Sequence, residues 1–139
     1  MDIRTYYSSF AFGVVSWMAQ YTPQRLIHFC FHSMFGLSVL NHGKYYEQFA
    51  GKDLMILLDK IIVHVTVAVS VYVALTMERP QPLLMFIFWG CLTWIAMVYY
   101  VFKLSFLPGT EWEPWHATVH FGGSIGEIAL LGHYFLHIL

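Results

Sequence analysis

Charge is scarce in this chain of 139 residues, where seven Lys and Arg and eight Asp and Glu make up 11% of the total. A soluble domain carries roughly twice that fraction. The net charge of -1 offers neither a basic surface for nucleic acid nor an acidic one for a basic partner. Cysteine is almost missing. Cys30 and Cys91 both fall inside apolar stretches, which argues against a disulfide framework and leaves the redox compartment unmarked.

What is abundant is apolar surface, at 58% hydrophobic residues and a mean hydropathy of +0.60. It comes in blocks longer than a soluble core uses, since about 20 apolar residues span a bilayer. The composition predicts an integral membrane protein, all-α, built as a bundle of four or five transmembrane helices. Pro, Gly and charge divide the chain into five apolar segments: Thr5 to Tyr21, Arg25 to His42, Lys52 to Met77, Pro82 to Phe106, and Pro114 to Leu139. The first is short, and no small-residue cleavage site follows its run, so it reads as retained rather than as a signal peptide. No repeat or low-complexity tract interrupts residues 1–139, which read as one domain. If all five segments cross, Arg4, Lys44, Lys52 and Lys103 share a face against Arg25 and Arg79, which leans that face towards the cytoplasm. Trp112, Trp115 and Tyr45 fit an aromatic belt at the membrane interface.

The polar residues are few and placed with order. Ser38 and His42 sit at i, i+4 at the end of the second segment, and His116 and His120 sit at i, i+4 at the start of the fifth. Asp59 opens the third, in "MILLDK". Crossing out and back through segments three and four returns the chain to the same side, so these five residues share a depth. At about 100° per residue, His116, His120 and Glu127 lie within about 40° of one another, and Asp59, Thr66 and Ser70 form a second stripe. Such stripes face a bundle interior, because lipid cannot satisfy them. Interhelical hydrogen bonding alone would explain one histidine, at about 0.6 kcal/mol per bond.

Five convergent polar residues suggest a metal. Three neutral imidazoles leave a fourth position open on zinc, the arrangement used for hydrolysis. Zinc lowers the pKa of a coordinated water to about 7, a nearby carboxylate can take its proton, and a hydroxyl can orient it or stabilise an oxyanion. His42, His116 and His120 fit as ligands, Asp59 as base and Ser38 as its assistant.

Ser38-Val39-Leu40-Asn41-His42, then Leu58-Asp59, then His116-Ala117-Thr118-Val119-His120 resembles the signature of the CREST superfamily, which includes the alkaline ceramidases and the progestin and adipoQ receptors. The gap from His42 to Asp59 and the run "LDKIIVHV" are similar to those of the adipoQ receptors. The resemblance implies zinc on the three histidines, with Asp59 and Ser38 around its water, cleaving an amide bond in a membrane lipid. It covers about half the chain; the family is built on seven spans, and this chain has room for five at most.

Two other readings stand beside it. His28 and His42, 14 apart, and His120 and His133, 13 apart, each span roughly 20 Å of helix, as two b-type haems would require. That reading leaves Ser38 and Asp59 unused. Alternatively, 12 Phe, 9 Tyr, 7 Met and 5 Trp suit an accessory subunit packed among other membrane subunits. Adjacent His-His pairs, which di-iron lipid hydroxylases need, do not occur. Gly122 and Gly126 form a small face for close helix contact, within the chain or between chains. Glu127, at mid-membrane, is expected to pair with His32 at matching depth.

Overall fold

The computed structural model of the chain describes residues 3–44, 51–102 and 112–138. Among them regular structure is helical throughout, with no strand. The elements are α1 (Ile3–Ser9), α2 (Ala11–Ala19), α3 (Arg25–His42), α4 (Lys52–Thr76), α5 (Pro82–Ala96), which runs on as a π-helical stretch Met97–Phe102, and α6 (Trp112–Ile138). Lys103 and Tyr45, invoked above for orientation and the aromatic belt, lie outside the described residues, as does the side chain of Trp112.

Local chemistry sets most of these ends. Pro82 occupies the first turn of α5, where its missing N–H costs nothing. At the other end of α4, Met77 is already extended and Arg79 adopts a left-handed φ of 51°, so the chain turns ahead of Pro80. α3 closes on Gly43, whose N–H reaches the Val39 carbonyl, and Lys44 follows with φ 59°.

The first segment is not one helix. It breaks at Phe10 into a seven-residue and a nine-residue helix. The cause lies one turn earlier, where the hydroxyls of Ser8 and Ser9 both donate to the Thr5 carbonyl at 2.9 Å. That back-bonding competes with the backbone for the same acceptor and bends helices. The chain continues through tighter bonds, from Phe10 N to Tyr7 O and from Gly13 N to Phe10 O.

The helices form an incomplete ring. α3 packs along α4, and α6 packs along α5, while α1 and α2 wedge between α3 and α6 and touch both. α4 and α5, although joined by a short connection, hardly meet. α5 and α6 approach closely at the two glycines, because a Cβ on Gly126 would stand 3.0 Å from Cys91 Cβ and one on Gly122 3.2 Å from Trp94. The small face of α6 is therefore used inside the chain.

An apolar core of Phe12, Val15, Ile27, Phe31, Leu130 and Leu131 is joined inside the bundle by many polar side chains, while large apolar residues also cover the outside. Thr5, Ser8, Ser9, Ser38, Thr66, Ser70, His120, Ser124, Glu127 and His133 are buried. Large apolar residues point outward along α4 and α5, among them Leu57, Ile61, Leu75, Leu83 and Phe86, the last 77% exposed. Two helices, Lys52–Thr76 and Pro82–Phe102, are long and apolar enough to cross a membrane.

Where α4 and α5 part, a cavity of about 500 Å³ opens. Its upper wall holds His42, Asp59, His116 and His120; its middle is Val63, Val67, Leu92 and Ile95; its lower end holds Thr66, Ser70 and Glu127. On its rim, His64 Nε2 of α4 and the Tyr100 hydroxyl of the π-helical stretch lie 2.6 Å apart. Extra residues in such a stretch rotate the side chains that follow, which here brings Tyr99 and Tyr100 to the cavity wall.

Candidate metal centre

Three imidazoles meet where the C-terminus of α3 comes beside the first turns of α6. His42 is the last residue of α3, and His116 and His120 face it from successive turns of α6. Ring centres are 5.0 Å apart for His42 and His116, 4.9 Å for His42 and His120, and 4.8 Å for His116 and His120. One nitrogen from each lies within 4.8 Å of the others, so the group is able to hold a metal ion. Tetrahedral zinc at 2.0 to 2.1 Å would set those nitrogens about 3.3 Å apart, a closure within reach of side-chain rotation.

The chemistry of the donor set fits a metal through a chain of hydroxyls. His120 Nδ1 lies 2.9 Å from Ser8 Oγ and 3.4 Å from Ser9 Oγ. Ser38 Oγ donates to Ser9 Oγ at 3.0 Å, and both α1 serines donate to the Thr5 carbonyl. Each hydroxyl has one hydrogen. The contacts are satisfied together when His120 Nδ1 carries the ring hydrogen, with Ser8 Oγ and the Thr5 carbonyl, to which the ring also hydrogen-bonds, as its acceptors. Nε2, on the other edge of the ring, then holds a lone pair. An outer hydrogen bond that fixes the tautomer of a metal-binding histidine has this form. His120 is 5% exposed, so water does not supply that bond in its place.

Ser8 and Ser9 have no part in the sequence-based expectation. Their segment looks like an ordinary apolar span, and two neighbouring serines carry no periodic signal. The hint in the sequence is "YYSSF" itself, two adjacent hydroxyls in a run that lipid would leave unsatisfied.

Asp59 stands on the second turn of α4 and shares the cavity wall with the three histidines. Asn41 Nδ2 donates to its Oδ2 at 2.8 Å, while Oδ1 is buried without a hydrogen-bond partner. Asn41, inside the Ser38–His42 motif, therefore ties α3 to α4 at the level of the site. Ser38 also lines the cavity, with its hydrogen held by Ser9.

The expected pairing of Glu127 with His32 is wrong. His32 is exposed, with Nδ1 2.7 Å from the His28 carbonyl, whereas Glu127 Oε1 lies 2.8 Å from Ser70 Oγ on α4. Depth was matched, but azimuth was not: His32 points away from α6. Ser70, on the Asp59–Thr66 stripe, is the residue at the right angle.

Two haems fit the geometry less well. A haem iron between His42 and His120 would hold their ring centres roughly 6 Å apart across a flat porphyrin, but these rings stand at 4.9 Å with His116 against both. At the other end, His28 Nε2 is engaged with the Thr22 carbonyl at 2.8 Å. Comparison of the chain with family models, with curated proteins and with solved structures finds no match.

Proposed function

We propose that this chain is a membrane-embedded, zinc-dependent hydrolase of lipid amide bonds, as its resemblance to the CREST superfamily implies. The observation that carries the reading is the convergence of three imidazoles, with Ser8 Oγ 2.9 Å from His120 Nδ1 behind them, on a largely apolar cavity. Support for a bilayer around the bundle comes from the two long apolar helices and from the many large apolar side chains exposed on the outside. α4 and α5 both line the cavity and barely touch, so a lipid would enter between them from the bilayer.

His42, His116 and His120 would hold the zinc. When bound, zinc supplies a water acidified to a pKa near 7 and a Lewis acid for the substrate carbonyl. Asp59 Oδ1 would accept a proton from the water that adds to the amide carbon and pass it to the nitrogen as the C–N bond breaks, so that amide and water give a carboxylic acid and an amine. Asn41 holds the other oxygen of Asp59 and leaves Oδ1 without a protein partner. Ser38 orients: its bond to Ser9 couples the α3 end of the site to the serines behind His120. The acyl chain lies along Val63, Val67, Leu92 and Ile95.

The test is release of free fatty acid from N-acylsphingosine by the purified chain in lipid vesicles, with and without zinc. Zinc-dependent release that Asp59→Ala abolishes supports the reading. Zinc bound without release from any N-acyl lipid overturns the hydrolase and leaves a structural metal site.

A further inference from the structure

The cavity has a second polar end that amide hydrolysis does not use. Glu127 lies seven residues beyond His120 on α6 and eleven beyond His116, hence roughly 10 Å and 16 Å deeper along the helix. It is 7% exposed and lines the cavity floor with Thr66 and Ser70. Ser70 Oγ is 2.8 Å from Glu127 Oε1 and 2.8 Å from the Thr66 carbonyl, with one hydrogen for both. Both contacts are made at once when Glu127, as the carboxylic acid, donates to Ser70 and Ser70 donates to Thr66. Oε2 is then a carbonyl-type acceptor, buried and without a hydrogen-bond partner. An acceptor left so in an apolar cavity is costly, and it is satisfied by a ligand that brings a donor.

We propose that Glu127 reads a hydroxyl carried partway along the chain of an acyl lipid whose polar head sits at His42, His116 and His120. This rests on the lipid cavity of the proposed function, but on neither the metal nor hydrolysis. A hydroxyl fits better than an ammonium. It asks Oε2 for one hydrogen bond, whereas an ammonium brings three donors and a charge to a floor whose other polar side chains are Thr66, Ser70 and Cys91. The separation of roughly 10 to 16 Å is what an extended chain of about eight to twelve carbons spans. Val63, Val67, Leu92 and Ile95 give methylene groups an apolar wall along the interval, and the Thr66 hydroxyl between them is turned to the Cys30 carbonyl.

The experiment is native mass spectrometry of the full chain in detergent, with two equimolar competitions against stearate. One uses 12-hydroxystearate and the other 2-hydroxystearate. The expected result is a preference for the 12-hydroxy acid of about five- to tenfold, the worth of one buried hydrogen bond, and none for the 2-hydroxy acid. Glu127→Leu should bring the first ratio to one while stearate still binds. Glu127→Gln, which keeps an acceptor oxygen, should retain much of the preference. Equal binding of stearate and the 12-hydroxy acid to the wild type overturns the subsite alone, as does a preference that survives Glu127→Leu. Failure of all three acids to bind overturns the subsite and the lipid cavity together. Should Glu127→Leu not fold, the comparison of hydroxyl positions on the wild type decides.

Discussion

Replacing Ser8 with alanine removes one acceptor beside His120 Nδ1 without touching any imidazole. The contact is 2.9 Å long and buried, and Ser9 Oγ at 3.4 Å and the Thr5 carbonyl stand beside it. A neutral hydrogen bond contributes about 1 kcal/mol net, equal to about a fivefold change in a dissociation constant. Loss of the outer partner of a metal-binding histidine weakens affinity by about 10- to 100-fold. Ser8→Ala should therefore weaken zinc binding by about five- to tenfold, with Ser9 taking part of the load. Ser8→Ala with Ser9→Ala should reach the 10- to 100-fold range, and Ser8→Thr, which keeps the hydroxyl, should stay near wild type. The assay is competition for zinc against a fluorescent chelator, on protein in detergent whose helicity is unchanged. A double variant that binds zinc as tightly as the wild type would refute the role given to α1.

Asp59→Ala should abolish hydrolysis while zinc affinity falls no more than about 10- to 100-fold, whereas His120→Ala should lose the metal; both are read by fatty acid release and chelator competition. Gly126→Ala sets a Cβ 3.0 Å from Cys91 Cβ, two backbone-anchored atoms that cannot yield separately. It should cost about 1 to 3 kcal/mol, seen as a lowered Tm in detergent, and a Tm at the wild-type value would show that α5 and α6 are not in close contact. In a background with Cys30 and Cys91 replaced, cysteines at 70 and 127 should be bridged by a short bis-thiol reagent while a pair at 32 and 127 is not. The reverse pattern on a gel would restore the His32 pairing.

The parts of the fold that could be read from the sequence are those set by strong local chemistry. α3 runs from Arg25 to His42 as Pro23 and Gly43 predict, and α4 stops one residue short of the expected Met77 because the turn ahead of Pro80 begins there. The meeting of His42, His116 and His120 follows from two i, i+4 pairs and an even number of crossings between them. The rest depends on azimuth and on side-chain hydrogen bonding, which composition does not encode. Thr5–Tyr21 looks like one span because its residues are apolar; the break comes from two serine hydroxyls competing for one carbonyl. Glu127 needs a partner at its own depth, which the sequence states, but the choice between His32 and Ser70 turns on which face of each helix looks inward. Ser70 lies within about 20° of Asp59 at 100° per residue, a signal that was present and would have decided it. That α4 and α5 diverge despite their short connection has no counterpart in the sequence.

Metal content tests the central claim most directly. The chain, purified in detergent, loaded with excess zinc and freed of unbound ions, should carry one zinc per chain by elemental analysis and show no Soret band, and His120→Ala prepared in the same way should carry none. A Soret band in the wild type, or zinc that remains stoichiometric when His42, His116 and His120 are all replaced by alanine, would contradict the account.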